Sequence, residues 1–171
     1  VGRQFQGLLA NNDNELRLED AAKLVGCWNG LAKRGNHEGE FDADPEPMKR
    51  AVAFAGTIKT SKMVAASFDE VVDTEIEDMV GKDEALACDV RHVDGTQSSL
   101  VRNEALDWLR EEPDEGECRI LSNAKCLSEG VDVPALDAVL FLAPRKSQVD
   151  VVQSVGRVMR KLEGKRYGYV I

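Results

Sequence analysis

Residues 119–142 read RILSNAKCLSEGVDVPALDAVLFL. A short apolar run opens the stretch at Arg119–Ser122, and a longer one closes it at Leu136–Leu142. The second run is apolar on both faces, as a strand covered on both sides of a parallel sheet must be. Between the two, a helical turn ends at Gly130, and Pro134 prevents its extension. Two apolar strands joined by a polar helical link belong to a mixed α/β fold.

Working outward, the same rhythm repeats. Downstream, Ser147–Leu162 has helical periodicity and Tyr167–Ile171 begins a last strand. Upstream, Ala51–Ala55 is strand-like, Thr60 to about Val80 is helical, Asp89–Val93 is a weak strand, and Ser98–Arg110 is a helix. Strands alternate with helices five times, which predicts a parallel sheet flanked by helices on both faces. Residues 1–17 read as polar and irregular. Ala21, Leu24, Val25, Trp28, Leu31 and Ala32 then recur at helical spacing. The stretch 36–47 (NHEGEFDADPEP) is an acidic loop with two prolines. The predicted organisation is a helical appendage and acidic linker over 1–50, followed by one domain over 51–171.

Composition bounds the function. The 171 residues are 43% hydrophobic, enough for one buried core. A net charge of −9 excludes a uniformly basic nucleic-acid coat but not a local basic site. Such a site is available near the end, where Arg145, Lys146, Arg157, Arg160, Lys161, Lys165 and Arg166 face only Asp150 and Glu163. No apolar run reaches the ~18–20 residues of a membrane span, so no membrane partner is expected. The four cysteines form no CxxC pair and only two histidines accompany them. No metal site is therefore expected, and free thiols fit a cytoplasmic protein. The first residues, Val1-Gly2-Arg3-Gln4, carry no initiator methionine and no signal-peptide core, so the chain is expected to be a fragment of a longer one.

Ligands of parallel α/β sheets bind outside the carboxyl ends of the strands. Three such places stand out. On the helix from Ser147, Val151, Val155, Val158 and Leu162 form one stripe, and Gln153, Arg157 and Arg160 lie opposite, with Gly156 beside them. Guanidinium groups stay charged and match phosphate oxygens in geometry. The other reading of that face is a solvated helix surface. Asp132 stands between two valines, where an acid needs a hydroxyl, arginine or amide partner; a structural turn is the alternative. The turns Gly56–Thr60 and Asp94-Gly95-Thr96 can offer backbone amides to phosphate, as can most turns of this kind.

In combination these segments resemble the C-terminal RecA-like domain of superfamily 2 helicases and translocases. Residues 119–142 look like motif V of that family, 153–160 (QSVGRVMR) match the QxxGRxxR pattern of motif VI, and the turns at 54–60 and 94–96 resemble motif IV and its successor. The wording EGVDVPALDAVLF is most similar to helicases of the restriction-enzyme group. The resemblance covers about residues 50–171 and implies an ATP site split between two RecA-like domains. By matching, Arg160 is the arginine finger and Arg157 also reaches the terminal phosphate. Gln153, Gly130 and Asp132 lie by the nucleotide. Thr57, Lys59, Gly95 and Ser122 touch the nucleic-acid backbone. ATP and Mg²⁺ are held mainly by a first RecA-like domain, because no Walker A loop occurs here and Asp69-Glu70 sits in a helical stretch. The implied partners are that first domain of the same full-length chain and DNA, with RNA left open.

The function expected from the resemblance is the second motor domain of an ATP-dependent DNA helicase or translocase, inactive when isolated. The rival from another class is a RecA-like protein-interaction module without motor activity, binding through the acidic loop or the first helix. A small flavodoxin-like nucleotide enzyme is disfavoured by the absence of a glycine-rich loop after the first strand.

Overall fold

The computed structural model of the chain describes residues 18–35, 39–79, 85–124, 136–144, 156 and 167–171. In chain order these form α1 (Leu18–Leu31), β1 (Arg50–Phe54), α2 (Ile58–Met79), β2 (Ala87–Asp94), α3 (Ser99–Arg110), β3 (Glu117–Ala124), β4 (Ala138–Phe141) and β5 (Tyr169–Val170). The strands make one sheet in the order β2-β3-β1-β4-β5. Every neighbouring pair is parallel. Parallel strands need a crossover rather than a hairpin, which is the work of α2 and α3.

β1 is central and buried throughout. Its side chains alternate between the two faces. Ala51 and Ala53 pack with Leu24 and Trp28 of α1 and Val64 and Phe68 of α2. Val52 and Phe54 pack with Trp108 and Leu109 of α3. The chain is thus a RecA-like α/β sheet with helices on both faces. Alanine has little preference for strands, yet Ala51, Ala53 and Ala138 are fully buried here. They share one buried cluster with Trp28 and Phe68. Small strand side chains leave the volume that large helical ones fill, so the interior stays close-packed.

The first helix packs on the sheet. Its apolar face, with Ala21, Leu24, Trp28 and Leu31, belongs to the same buried cluster as the sheet. The Trp28 indole N–H donates to the carbonyl of Leu86 at 3.0 Å, and a Cβ on Gly30 would lie 2.6 Å from Ile171 Cδ1. Helical periodicity reveals an apolar face but not what covers it.

The end of α1 is fastened to β5. Lys33 takes a positive φ of 57°, a conformation in which glycine usually ends a helix. Its ammonium meets Asp44 at 2.6 Å and lies 3.7 Å from the centre of the Tyr169 ring. The Tyr169 hydroxyl donates to the same Asp44 carboxylate at 2.8 Å. A buried cation is retained only when so paired, and the pairing joins α1, the 39–47 loop and the last strand.

At the amino end of β1, Glu112 bonds Lys49 and Arg50. These two hydrogen bonds, Lys49 first, pull its carboxyl down to about 2. The Glu112 side chain is 63% exposed, so solvent screens most of this gain. A depressed carboxyl pKa stabilises the fold above the ordinary value near 4.3 and loses that effect as pH falls towards the folded value. Glu112→Gln is expected to lower stability by less than about 1 kcal/mol at neutral pH, with the difference from wild type shrinking in acid. Urea unfolding at pH 7 and pH 3 measures this.

Candidate functional site

Because the sheet is wholly parallel, β1, β2 and β3 end at the same edge. After β1, Thr57 caps α2: its hydroxyl oxygen accepts from the Thr60 amide at 3.0 Å, and its carbonyl accepts from the Ser61 amide at 3.0 Å. A hydroxyl at this position satisfies one of the unpaired amides of a helix start, while those at the first turn have no intrahelical acceptor. After β2, Asp94 ties down its own turn. Its Oδ1 accepts from the Thr96 amide at 2.7 Å and from the Thr96 hydroxyl. The Asp94 amide donates to Gln97 Oε1 at 3.0 Å, and Ser98 caps α3.

Between these turns lies a cleft of about 580 Å³, lined by Gly56, Thr57, Ile58, Lys59, Gly95, Thr96 and Ala124. Thr57, Lys59 and Gly95, three of the four residues expected to touch a nucleic-acid backbone, are therefore together on one wall system. The fourth, Ser122, is elsewhere. It is fully buried, and its hydroxyl lies 2.8 Å from that of Ser61. Ala124, two residues on in β3, takes the place at the cleft.

Sequence reasoning missed a hydrogen-bonded group that adjoins the site. His92 bonds Ser61 through Nδ1 at 2.7 Å and Asp94 through Nε2 at 2.8 Å. Asp94 is almost wholly buried. Its pKa lies well below the usual carboxylate range, chiefly through the Thr96 hydroxyl, then through His92 and the Thr96 amide. The signal in the sequence is the spacing His92-x-Asp94, which puts both side chains on one face of a strand.

Two lysines stand at the cleft end of the sheet, and an acidic groove lies at the other. Lys59 stands at the cleft and Lys62 approaches Asp94 at 3.9 Å. Asp69, Asp89, Asp114, Glu115 and Glu117 gather in a groove where β2 and β3 begin. Burial, then Asp73 and Asp89, raise the Asp69 carboxyl. Asp69 and Glu70 lie in α2. The two ends of β2 are about 23 Å apart at the rise of an extended chain.

Gln153, Arg157, Arg160, Gly130 and Asp132 lie outside the described residues. Gly156 is helical and exposed, with nothing within 4 Å of where its Cβ would stand. Among the described residues, no group of three or more His, Cys, Asp or Glu could hold a metal ion. No described helix is long and apolar enough to cross a membrane.

The family model for the helicase conserved C-terminal domain matches residues 46–161. The chain belongs to this family. It is a superfamily 2 helicase C-terminal RecA-like domain, and its relatives fit that assignment. The solved structure of the ATP-dependent Type ISP restriction-modification enzyme LlaBIII, bound to DNA, is 44% identical over 97% of this chain and 10% of that one, with a TM-score of 0.81. The African swine fever virus protein named "Probable helicase A859L" is 42% identical over 37% of this chain and 8% of its own length. Domain 2 of the DEAD-box helicase Mss116p, bound to an RNA duplex, shares the fold at 18% identity, covering 88% of this chain and 49% of that one, with a TM-score of 0.54. This helicase domain spans only 8% to 12% of the curated relatives it matches.

Proposed function

We propose that this domain is the second motor domain of an ATP-dependent DNA helicase or translocase of restriction-enzyme type. The observation that carries the reading is the 44% identity over 97% of the chain with a restriction-modification enzyme bound to DNA. In this reading Arg160 acts as an arginine finger on ATP held by a first RecA-like domain. Arg157 reaches the terminal phosphate, Gln153 helps to position it, and Gly130 and Asp132 flank the nucleotide. The described residues suit no metal cluster, and the turn after β1 is Ala55-Gly56-Thr57 rather than a glycine-rich phosphate loop. By the resemblance, Mg²⁺ and most of the nucleotide belong to the other domain. ATP bound there draws the two arginines inward, closing the interdomain cleft and moving the grip on one DNA strand. Hydrolysis releases it. The cleft at the carboxyl ends supplies that grip through Lys59, the α2 amides and the turn at Gly95.

The test is ATP hydrolysis with and without DNA. The full-length protein is expected to hydrolyse ATP in a DNA-stimulated manner, and residues 1–171 alone to be inactive. Full-rate hydrolysis by the isolated chain would remove the split-site reading.

Gly95 offers a sharper check on the grip. It is exposed, and a Cβ there would meet open space. Gly95→Ala should therefore change stability by no more than about 0.5 kcal/mol. A backbone phosphate approaching that turn would meet the new methyl, so single-stranded DNA affinity is expected to fall. Lys59→Glu should weaken DNA binding uniformly across sequences and reduce the salt dependence by a slope of about 1. Filter-binding titrations across salt concentrations read both, with RNA as competitor to rank the two nucleic acids. Wild-type affinity in both variants would place the DNA elsewhere.

A further inference from the structure

Next to the turns that line the cleft, side chains from α2, β2 and β3 form one hydrogen-bonded chain. Ser122 Oγ is 2.8 Å from Ser61 Oγ, Ser61 Oγ is 2.7 Å from His92 Nδ1, and His92 Nε2 is 2.8 Å from Asp94 Oδ2. Ser61 and Ser122 are fully buried and Asp94 nearly so. The direction of the chain follows from its end. An ionised carboxylate only accepts, so His92 carries a proton on Nε2. In the neutral ring, Nδ1 then accepts from the Ser61 hydroxyl, whose oxygen accepts from Ser122.

Two members of this chain, Ser61 and Asp94, are each fastened to one wall of the cleft. The Ser61 amide donates to the carbonyl of Thr57. Asp94 Oδ1 holds the amide and hydroxyl of Thr96. The only covalent route between the two turns is the length of α2 and β2. The hydrogen-bonded route is three side chains long (Ser61, His92 and Asp94), and its middle is a rigid planar ring. Buried polar groups cost stability unless all are satisfied, and apolar residues pack there at lower cost. Their presence beside a ligand cleft calls for a role in geometry.

We propose that Ser122–Ser61–His92–Asp94 is a positioning relay that fixes the spacing between the 56–59 and 94–96 turns, with His92 the positioning residue for a nucleic-acid phosphate held between them. The identity of the ligand rests on the function proposed above; the coupling of the two turns does not. The relay also gives buried Ser122 its connection to the cleft, through two side chains rather than by contact.

The test replaces His92 with phenylalanine in the full-length protein, which keeps a planar ring and removes both nitrogens. Two quantities are read: hydrogen exchange of the peptide spanning 94–98, and the Kd for a single-stranded oligonucleotide. Exchange over 94–98 is expected to quicken about tenfold and the Kd to rise about tenfold, the size of one lost hydrogen bond. Hydrogen exchange over α1, away from the cleft, should stay near wild type, which a general loss of structure would not allow. His92→Gln, which can still donate to Asp94, should recover part of both losses. Ser122→Ala, which trims only the far end, should show smaller changes of the same sign. If His92→Phe does not fold, those two variants carry the measurement.

Wild-type exchange over 94–98 in the folded His92 variants would overturn the relay. Faster exchange with an unchanged Kd would overturn its role toward the ligand. If the wild-type protein binds no nucleic acid at all, the proposed function fails first, and the exchange comparison still decides whether the turns are coupled.

Discussion

Arg160→Ala in the full-length protein is expected to slow ATP hydrolysis by about 10³–10⁵-fold while leaving nucleotide affinity close to wild type. The argument is electrostatic. Negative charge spreads over the equatorial oxygens of the transferred phosphoryl group, and a guanidinium aimed at them stabilises the transition state more than the ground state. Removing it raises the barrier without removing the residues that hold ATP, which this reading places on the other domain. Steady-state kcat and a fluorescent-nucleotide titration separate the two quantities. Arg160→Lys is expected to rescue poorly, because an ammonium lacks the planar fork that meets two oxygens together. Near-normal turnover in Arg160→Ala would end the finger assignment.

The second large effect concerns the fold. Trp28→Ala is expected to destabilise the domain by about 3–5 kcal/mol, as large-to-small changes at buried aromatics do. Trp28 is 1% exposed and shares a cluster with Ala51, Ala53 and Phe68. Those strand alanines cannot grow into the vacated volume. The substitution also strips the Leu86 carbonyl of its indole donor. A loss of this size lowers the unfolding midpoint by on the order of 10 °C in a domain of this length. Trp28→Phe should cost less, since it keeps most of the volume and loses the N–H. A melting curve unchanged by Trp28→Ala would mean that α1 contributes little to the core.

The strand–helix alternation was legible because its signals are local. The near-continuous apolar run at Ala138–Leu142 could serve only as a strand covered on both sides, and β4 is found beside β1. Ser98 reads as a helix start and does cap α3. Thr57, by contrast, caps a helix that begins at Ile58 rather than Thr60, because a capping hydroxyl is hard to tell from any polar turn residue. The covering of α1 was illegible for a different reason: Trp28 meets Leu86 across 58 residues, and periodicity carries no information about partners so distant. The relay failed to register on the same ground. Ser61 is 31 residues from His92 and 61 from Ser122, and each alone looks like an ordinary polar residue. The three cleft residues Thr57, Lys59 and Gly95 could be found because each follows directly from a strand end, where the parallel topology brings ligands.

The acidic groove at the end of the sheet away from the cleft has a kinetic consequence. A polyanion drifting towards the domain is repelled more at the groove where β2 and β3 begin than at the cleft, where Lys59 and Lys62 stand, so the field biases its orientation before contact. Encounters that would land backwards are discouraged at long range. That selectivity fades as added ions shorten the reach of the field to about 8 Å at physiological strength, so concentrated salt should slow productive landing more than it hastens departure.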